Sequence, residues 1–66
     1  MAEKAEVKVL YDKKHDILSL FREGDKSKFS FELELPQGEV VIDYNFESKI
    51  AGIEFFNASS YFSQLR

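Results

Sequence analysis

The sequence predicts an α+β fold: a five-stranded antiparallel β-meander with one short C-terminal helix packed on one face. Five short apolar runs, each bounded by turn residues, indicate the strands. The connections between these runs are short, and a parallel pair would need a crossover of a dozen or more residues. After the fifth run, the apolar residues recur at helical spacing. The predicted strands are 7–11, 17–21, 29–35, 39–44 and 50–56.

The first half of the chain contains two strand signals and two polar connections. In 7–11 apolar residues alternate with others, which is typical of a strand with one buried face. The polar segment 12–16 predicts a turn, and the apolar pattern resumes at 17–21. The segment 22–28 contains a Gly-Asp pair and is therefore predicted as a loop.

The second half contains the clearest strand signal. In 29–35 phenylalanine and leucine alternate with serine and glutamate, as a half-buried strand requires. The turn 36–38 ends this strand, because proline cannot donate to the ladder and glycine tolerates turn geometry. The fourth strand, the polar loop 45–49 and the fifth strand follow.

The last residues of the chain predict a short helix. Asn57 or Ser59 could cap its N-terminus by accepting a bond from a backbone N–H group. Tyr61, Phe62 and Leu65 recur at helical spacing. Because a helix this short is unstable alone, we expect it to dock on the sheet.

Length and composition indicate one small domain. The chain has 66 residues, which predicts a flexible N-terminus at 1–6 and a single domain at 7–66. Its lack of cysteine excludes disulfides and thiolate metal sites. The first residues contain no apolar signal core, so we expect no secretory signal, and no apolar stretch approaches the roughly 20 residues that span a bilayer. We therefore expect a cytoplasmic protein without a membrane partner.

The charge pattern argues against a nucleic-acid partner. The net charge is −3, and acidic residues lie beside each short group of lysines and arginines. A chain that binds phosphates usually presents a basic stripe. Phe29 and Phe31 could stack on bases, but Glu32 and Glu34 beside them would repel phosphate. We interpret these phenylalanines as core residues.

The alternation of apolar residues also predicts which side chains are buried. Each chosen residue lies on the apolar side of a predicted strand or helix. The predicted core consists of Val9, Leu18, Phe31, Leu33, Ile42, Ile53 and Phe62.

Glu54 interrupts an otherwise apolar strand. In a simple hairpin with Tyr44 opposite Ile50, Glu54 faces Val40 and shares its face with Ile42 and Phe56. Gly52 would leave a notch beside the carboxylate, because it has no side chain. Three interpretations remain: a solvent-exposed charge, a structural partner of a tyrosine, Lys8 or Arg22, and a ligand or catalytic acid.

Four carboxylates and one histidine could be combined into a site for a hard metal ion. These residues are Asp12, His15, Asp16, Asp43 and Glu54. Their spacing does not match a calcium-binding loop, and aspartates in turns commonly bond their own backbone. We therefore expect structural turns, with no cofactor and no metal. No nucleophile with a clear base and no phosphate-binding loop is evident, so we do not expect an enzyme.

Five short motifs together resemble a known family. They are Tyr11-Asp12, Asp16-Ile17-Leu18, Ile42-Asp43-Tyr44, Gly52-Ile53-Glu54 and Ala58-Ser59. In their order and spacing they resemble the small prokaryotic family called domain of unknown function 2283, over about 7–62. This chain departs from the family in its glycine-free loop 45–49 and its more aromatic middle strand. The resemblance implies a compact β-sheet with a C-terminal helix and no established catalytic activity, and some members are similar to antitoxins.

These observations predict a non-enzymatic module that binds another protein or a second copy of itself. We expect the binding surface to be the sheet face around Val40, Ile42, Tyr44 and Phe56, with Glu54 at its edge. One alternative is a small-ligand or divalent-metal domain that uses the acidic residues. Another is a structural domain with no activity of its own.

Overall fold

The computed structural model describes residues 6–65, which form one antiparallel sheet of five strands. The flexible segment expected at 1–6 lies outside these residues, except for Glu6. The strand positions predicted from the sequence are confirmed, with ends that differ by at most one residue. The strands are β1 (Val7–Asp12), β2 (Ile17–Arg22), β3 (Phe29–Leu35), β4 (Gly38–Tyr44) and β5 (Ile50–Phe56).

The strand order differs from the predicted meander. The order across the sheet is β1-β2-β5-β4-β3, so β2 pairs with β5 and not with β3. The connection 23–28 therefore passes the ends of β5 and β4. A segment of this length reaches about 20 Å, and three strand spacings amount to about 14 Å. A short connection thus favours antiparallel strands without requiring that they be neighbours.

A β-bulge at Ala51 corrects the predicted register of the last hairpin. Tyr44 pairs with Ile50 as predicted, but Asp43 pairs with Gly52, so Ala51 is the extra residue on β5. Beyond the bulge, Glu54 pairs with Val41 instead of Val40. Because side chains alternate along a strand, this shift of one residue moves Glu54 to the other face of the sheet.

The predicted C-terminal helix is replaced by two 3₁₀ turns, Ala58–Ser60 and Ser63–Leu65. Asn57 does not cap a helix: its backbone is left-handed, with φ of 57°, and its side-chain amide donates to the Gln37 carbonyl at 2.7 Å. The α+β class is therefore not supported by the described residues, which form a sheet with short turns. No helix within 6–65 is long and apolar enough to cross a membrane.

The sheet is a single layer, and this overturns part of the predicted core. Among the described residues, the buried apolar side chains are those of Val40, Ala51 and Ala58, and no large side chain is fully buried. Val9, Phe31 and Leu33 are exposed, although they were predicted to be buried. The remaining predicted core residues, Leu18, Ile42, Ile53 and Phe62, are partly buried.

Candidate functional site

One face of the sheet is apolar across all five strands, and we call it the apolar face. The strand pairing places Val9 of β1, Leu20 of β2, Ile53 of β5, Ile42 of β4 and Phe31 of β3 on this face, side by side. Its two outer strands are the most open. Six apolar residues there are between 41% and 60% exposed: Val7, Val9, Phe29, Phe31, Leu33 and Leu35.

An aromatic cluster lies at one end of the apolar face, near the loop 45–49. Phe29 stacks on Tyr44 with ring centroids 5.1 Å apart, and Phe31 meets the same tyrosine edge-on at 5.6 Å. These contacts fix the orientation of the rings. Phe31 nevertheless keeps 56% of its surface exposed, so the cluster presents a fixed aromatic surface to its surroundings.

The C-terminal turns cover the opposite end of the apolar face. Phe62 meets Phe55 of β5 edge-on at 5.1 Å, and Tyr61 lies 5.8 Å from the same ring. The Tyr61 hydroxyl donates to the Gly38 carbonyl at 2.6 Å. Gly38 has φ of 150°, and a Cβ atom there would lie 2.5 Å from the Phe56 carbonyl oxygen. The close approach of Gly38 to Phe56 therefore requires glycine.

The other face of the sheet carries the carboxylates, and we call it the acidic face. The pairing places Glu32, Glu34, Glu39, Asp43 and Glu54 on it. Glu34 and Glu39 are directly opposite each other, an arrangement that destabilises a strand pair. The predicted site residue Phe56 also lies on this face, whereas Val40, Ile42 and Tyr44 lie on the apolar face.

Asp16 ties the first turn to the end of the chain. Its carboxylate accepts hydrogen bonds from the Tyr11 hydroxyl at 2.6 Å, the Ser59 hydroxyl at 2.7 Å and the Ser59 N–H at 3.0 Å. Its backbone carbonyl accepts from the Ala58 N–H at 2.9 Å. These contacts join the first, second and last family motifs, so the motif residues form a structural connection. The hydrogen bond from Tyr11 holds the pKa of that tyrosine above its ordinary value of 10.0.

Asp12 belongs to the same turn but contacts a different partner. Its carboxylate lies 2.7 Å from the His15 ring nitrogen and accepts from the His15 N–H at 3.2 Å. The side-chain contact with His15 lowers the pKa of Asp12 below 3.8, because both contacts favour the ionised carboxylate.

The other two predicted acids occupy the acidic face in different surroundings. Asp43 accepts a hydrogen bond from the Ser30 hydroxyl. Glu54 is half-buried between Ser19 and Val41, and no hydrogen bond or ion pair within 6–65 reaches its carboxylate. The predicted notch at Gly52 does not form, since an added Cβ atom would lie 3.1 Å from the Leu20 carbonyl oxygen of the neighbouring strand.

The four acids therefore do not converge on one site. Within the described residues, no three histidine, aspartate or glutamate side chains form a group that could hold a metal ion. That part of the chain also encloses no cavity for a small molecule. Asp12, Asp16 and Asp43 each make the hydrogen bonds within the chain described above.

Asn45 holds the loop 45–49 in its conformation, a role that was not predicted from the sequence. It is buried, and its side-chain oxygen accepts from the Glu47 N–H at 2.9 Å and the Lys49 N–H at 3.0 Å. Its amide donates to the Asp25 carboxylate at 2.9 Å. This bond joins the connection 23–28, which we call the crossing loop, to the last hairpin. An asparagine at the start of a polar loop is a signal for such a turn.

Comparisons with known proteins agree with the motifs. The profile of a protein family of unknown function, DUF2283, matches residues 8–59, and the chain belongs to this family. The uncharacterized protein MJ0789 of Methanocaldococcus jannaschii is 37% identical over 57 residues, which cover 86% of this chain and 46% of that protein. The chain thus spans about half the length of this relative. No solved structure matches the chain.

Proposed function

We propose that this chain is a non-enzymatic protein-interaction module that binds its partner through the apolar face. The observation that carries the proposal is a set of six apolar residues on the two edge strands, 41–60% exposed, which partly buried apolar residues of the three central strands connect on the same side of the sheet. Contiguous apolar patches of this kind on folded proteins mark interaction sites.

The distribution of charge favours a protein partner over a nucleic acid. The carboxylates of β3, β4 and β5 lie on the acidic face, and Arg22, opposite Val7, is the basic residue that the pairing places on the apolar face. A phosphate backbone would therefore find few cations on either face of the sheet. A protein surface with matching apolar side chains fits the apolar face better.

The same observations argue against the alternative ligand or metal site. Asp16 accepts bonds from Tyr11 and Ser59, and Asp43 accepts a bond from Ser30, so these carboxylates serve the fold. We also place the protein in the cytoplasm, because a chain without cysteine fits a reducing compartment. An antitoxin-like role, which the family resemblance implies, is one specific form of this function.

The proposal is tested by comparing two variants that differ only in the face they alter. Val9→Lys places a charge on the apolar face, and Leu10→Lys places the same charge on the other face of β1 at an equally exposed position. Each tagged variant and the wild type are used to capture partners from lysate of the native host, including untagged copies of the chain itself. We expect the wild type and Leu10→Lys to retain the same partner and Val9→Lys to lose it. Identical binding by both variants would contradict the proposal.

A further inference from the structure

We propose that the partner is a second copy of this chain, so that the apolar faces of two sheets pack against each other. This inference rests on the proposed function and names the occupant of the apolar face. Two sheets packed face to face are a common way for β-proteins to bury one side of each sheet.

One copy of the chain has only a small core within its described residues. Among the described residues no large side chain is fully buried, and the buried apolar residues Val40, Ala51 and Ala58 are all of modest size. A domain of this size has a marginal core, and small domains commonly add another source of stability, such as oligomerisation. The partner must then be present whenever the chain is made, a condition that a second copy always meets.

The apolar face extends over the whole width of the sheet. The sheet is five strands wide, and its strands are six or seven residues long. With strands about 4.8 Å apart and a rise of about 3.3 Å per residue, each face measures roughly 20 Å on a side. A stable interface buries about 800 Å² on each partner. The projected area of such a face is roughly 400 Å², half of that figure, so the contact falls at the low end of stable interfaces even when the relief of its side chains is counted.

The distribution of charge favours contact through the apolar faces. Each chain carries a net charge of −3, so two copies repel each other over most of their surfaces. Glu32, Glu34 and Glu39 lie on the acidic face. Packing the apolar faces together keeps the carboxylates of both copies on the outer surfaces, with both sheets between them. Other arrangements would bring the acidic faces closer together or leave the apolar residues exposed.

The C-terminal turns determine where the second copy can dock. Tyr61 and Phe62 cover the end of the apolar face around Phe55. The open part is the other end and the two outer strands, where Phe31 and Val9 lie. The contact between copies is therefore centred away from the turns, and the aromatic cluster of Phe29, Phe31 and Tyr44 lies within it.

Sedimentation equilibrium of the purified chain tests the inference, with Phe31→Lys and Leu10→Lys as a matched pair. The two residues are 56% and 60% exposed, lie on opposite faces of edge strands, and receive the same charge. We expect twice the chain mass for the wild type and for Leu10→Lys, and the single-chain mass for Phe31→Lys. If Phe31→Lys fails to fold, Val9→Lys provides the same comparison, because Val9 is 60% exposed on the apolar face and lies outside the aromatic cluster.

Cross-linking gives a second measurement that leaves the aromatic cluster unchanged. The chain has no cysteine, so Leu33→Cys on the apolar face and Glu34→Cys on the acidic face each provide one thiol. A short bis-maleimide should join two copies of Leu33→Cys and leave Glu34→Cys as single chains.

Two results would overturn the inference: a single-chain mass for the wild type at every concentration, or equal cross-linking of the two cysteine variants. Neither result decides the proposed function, which depends on the capture experiment with Val9→Lys and Leu10→Lys. Suppose that the wild type has the single-chain mass, and that Val9→Lys loses a captured partner which Leu10→Lys retains. The partner is then a different protein.

Discussion

Val9 and Leu10 are neighbours on β1, each 60% exposed, yet they lie on opposite faces of the sheet. Val9 belongs to the apolar face, which continues through Leu20 and Ile53 to the far edge. Leu10 is an apolar residue beside Ser19 on the face that carries the carboxylates. Comparing the same substitution at these two residues therefore separates the effect of exposure from the effect of lying on the apolar face.

The carboxylate of Asp16 should be a major contributor to stability. Asp16→Ala removes the acceptor of the Tyr11 and Ser59 hydroxyls and of the Ser59 N–H. We expect a loss of about 2–3 kcal/mol in the free energy of unfolding, measured by urea denaturation. Asp16→Asn is the control, since asparagine tolerates the left-handed backbone (φ 56°) and keeps one acceptor oxygen, so it should lose less. Equal losses for the two variants would contradict this assignment.

Tyr11 should make the stability of the fold sensitive to alkaline pH. Its pKa is raised by the hydrogen bond to Asp16, so the folded state holds the phenolic proton more tightly than the unfolded state does. This contribution is fully present below the ordinary value of 10.0 and is lost as pH rises through the folded-state pKa.

The absorbance of tyrosinate measures this titration directly. In the wild type, the ionisation of Tyr11 should appear as a late titration at high pH, and this titration should be absent from Tyr11→Phe. The variant should also lose the part of the alkaline decline in stability that is due to Tyr11. Tyr44→Phe serves as the control, and it should leave the late titration in place. The prediction fails if that late titration persists in Tyr11→Phe.

The contact between Asn45 and Asp25 should hold the crossing loop in place. Asn45→Asp keeps the oxygen that accepts from Glu47 and Lys49 but turns a carboxylate toward Asp25, at the site of a 2.9 Å hydrogen bond. We expect this variant to lose about 2 kcal/mol or more at neutral pH, as measured by chemical denaturation.

Exchanging the two residues gives the control. When Asn45→Asp is combined with Asp25→Asn, one amide and one carboxylate face each other again, so much of the lost stability should return. A double variant whose losses simply add would show that the two side chains do not interact in solution.

Glu54 should matter little for either stability or association. Its carboxylate has no partner within 6–65 and lies on the acidic face with Asp43 and Glu39. Glu54→Gln removes a charge from this group while keeping the shape of the side chain. We expect a stability equal to the wild type within about 0.5 kcal/mol, or slightly higher, and an unchanged mass in sedimentation. A loss well above 1 kcal/mol would identify the carboxylate as a structural partner.

The sequence was sufficient to locate the strands but not to order them. Alternation of side chains predicted the bounds of β3 without error, because a half-buried strand has a clear period of two, and an apolar run between turn residues predicted those of β5. The path of 23–28 was not predictable, because its reach allows both adjacent and distant strands. The contact between Asp25 and Asn45, which holds that path, joins residues far apart in the sequence.

The candidate site was predicted only in part, for two physical reasons. The bulge at Ala51 reversed the faces of Glu54 and Phe56, and no local pattern distinguishes a bulge from a regular strand. The exposure of Phe31 and Leu33 was missed because alternation identifies an apolar face without showing what covers it. Asp12 accepts from the backbone of its own turn as expected, whereas the bonds of Asp16 to Tyr11 and Ser59 were not predicted.

A second copy on the apolar face should shield the side chains of that face from dissolved molecules in solution. The attenuation of methyl signals by a dissolved nitroxide, measured on methyl-labelled wild-type protein, reports this shielding residue by residue. The methyl groups of Val9 should be protected, while those of Leu10 should be strongly attenuated. Equal attenuation of both residues, as their equal exposure in a single chain requires, would contradict this shielding.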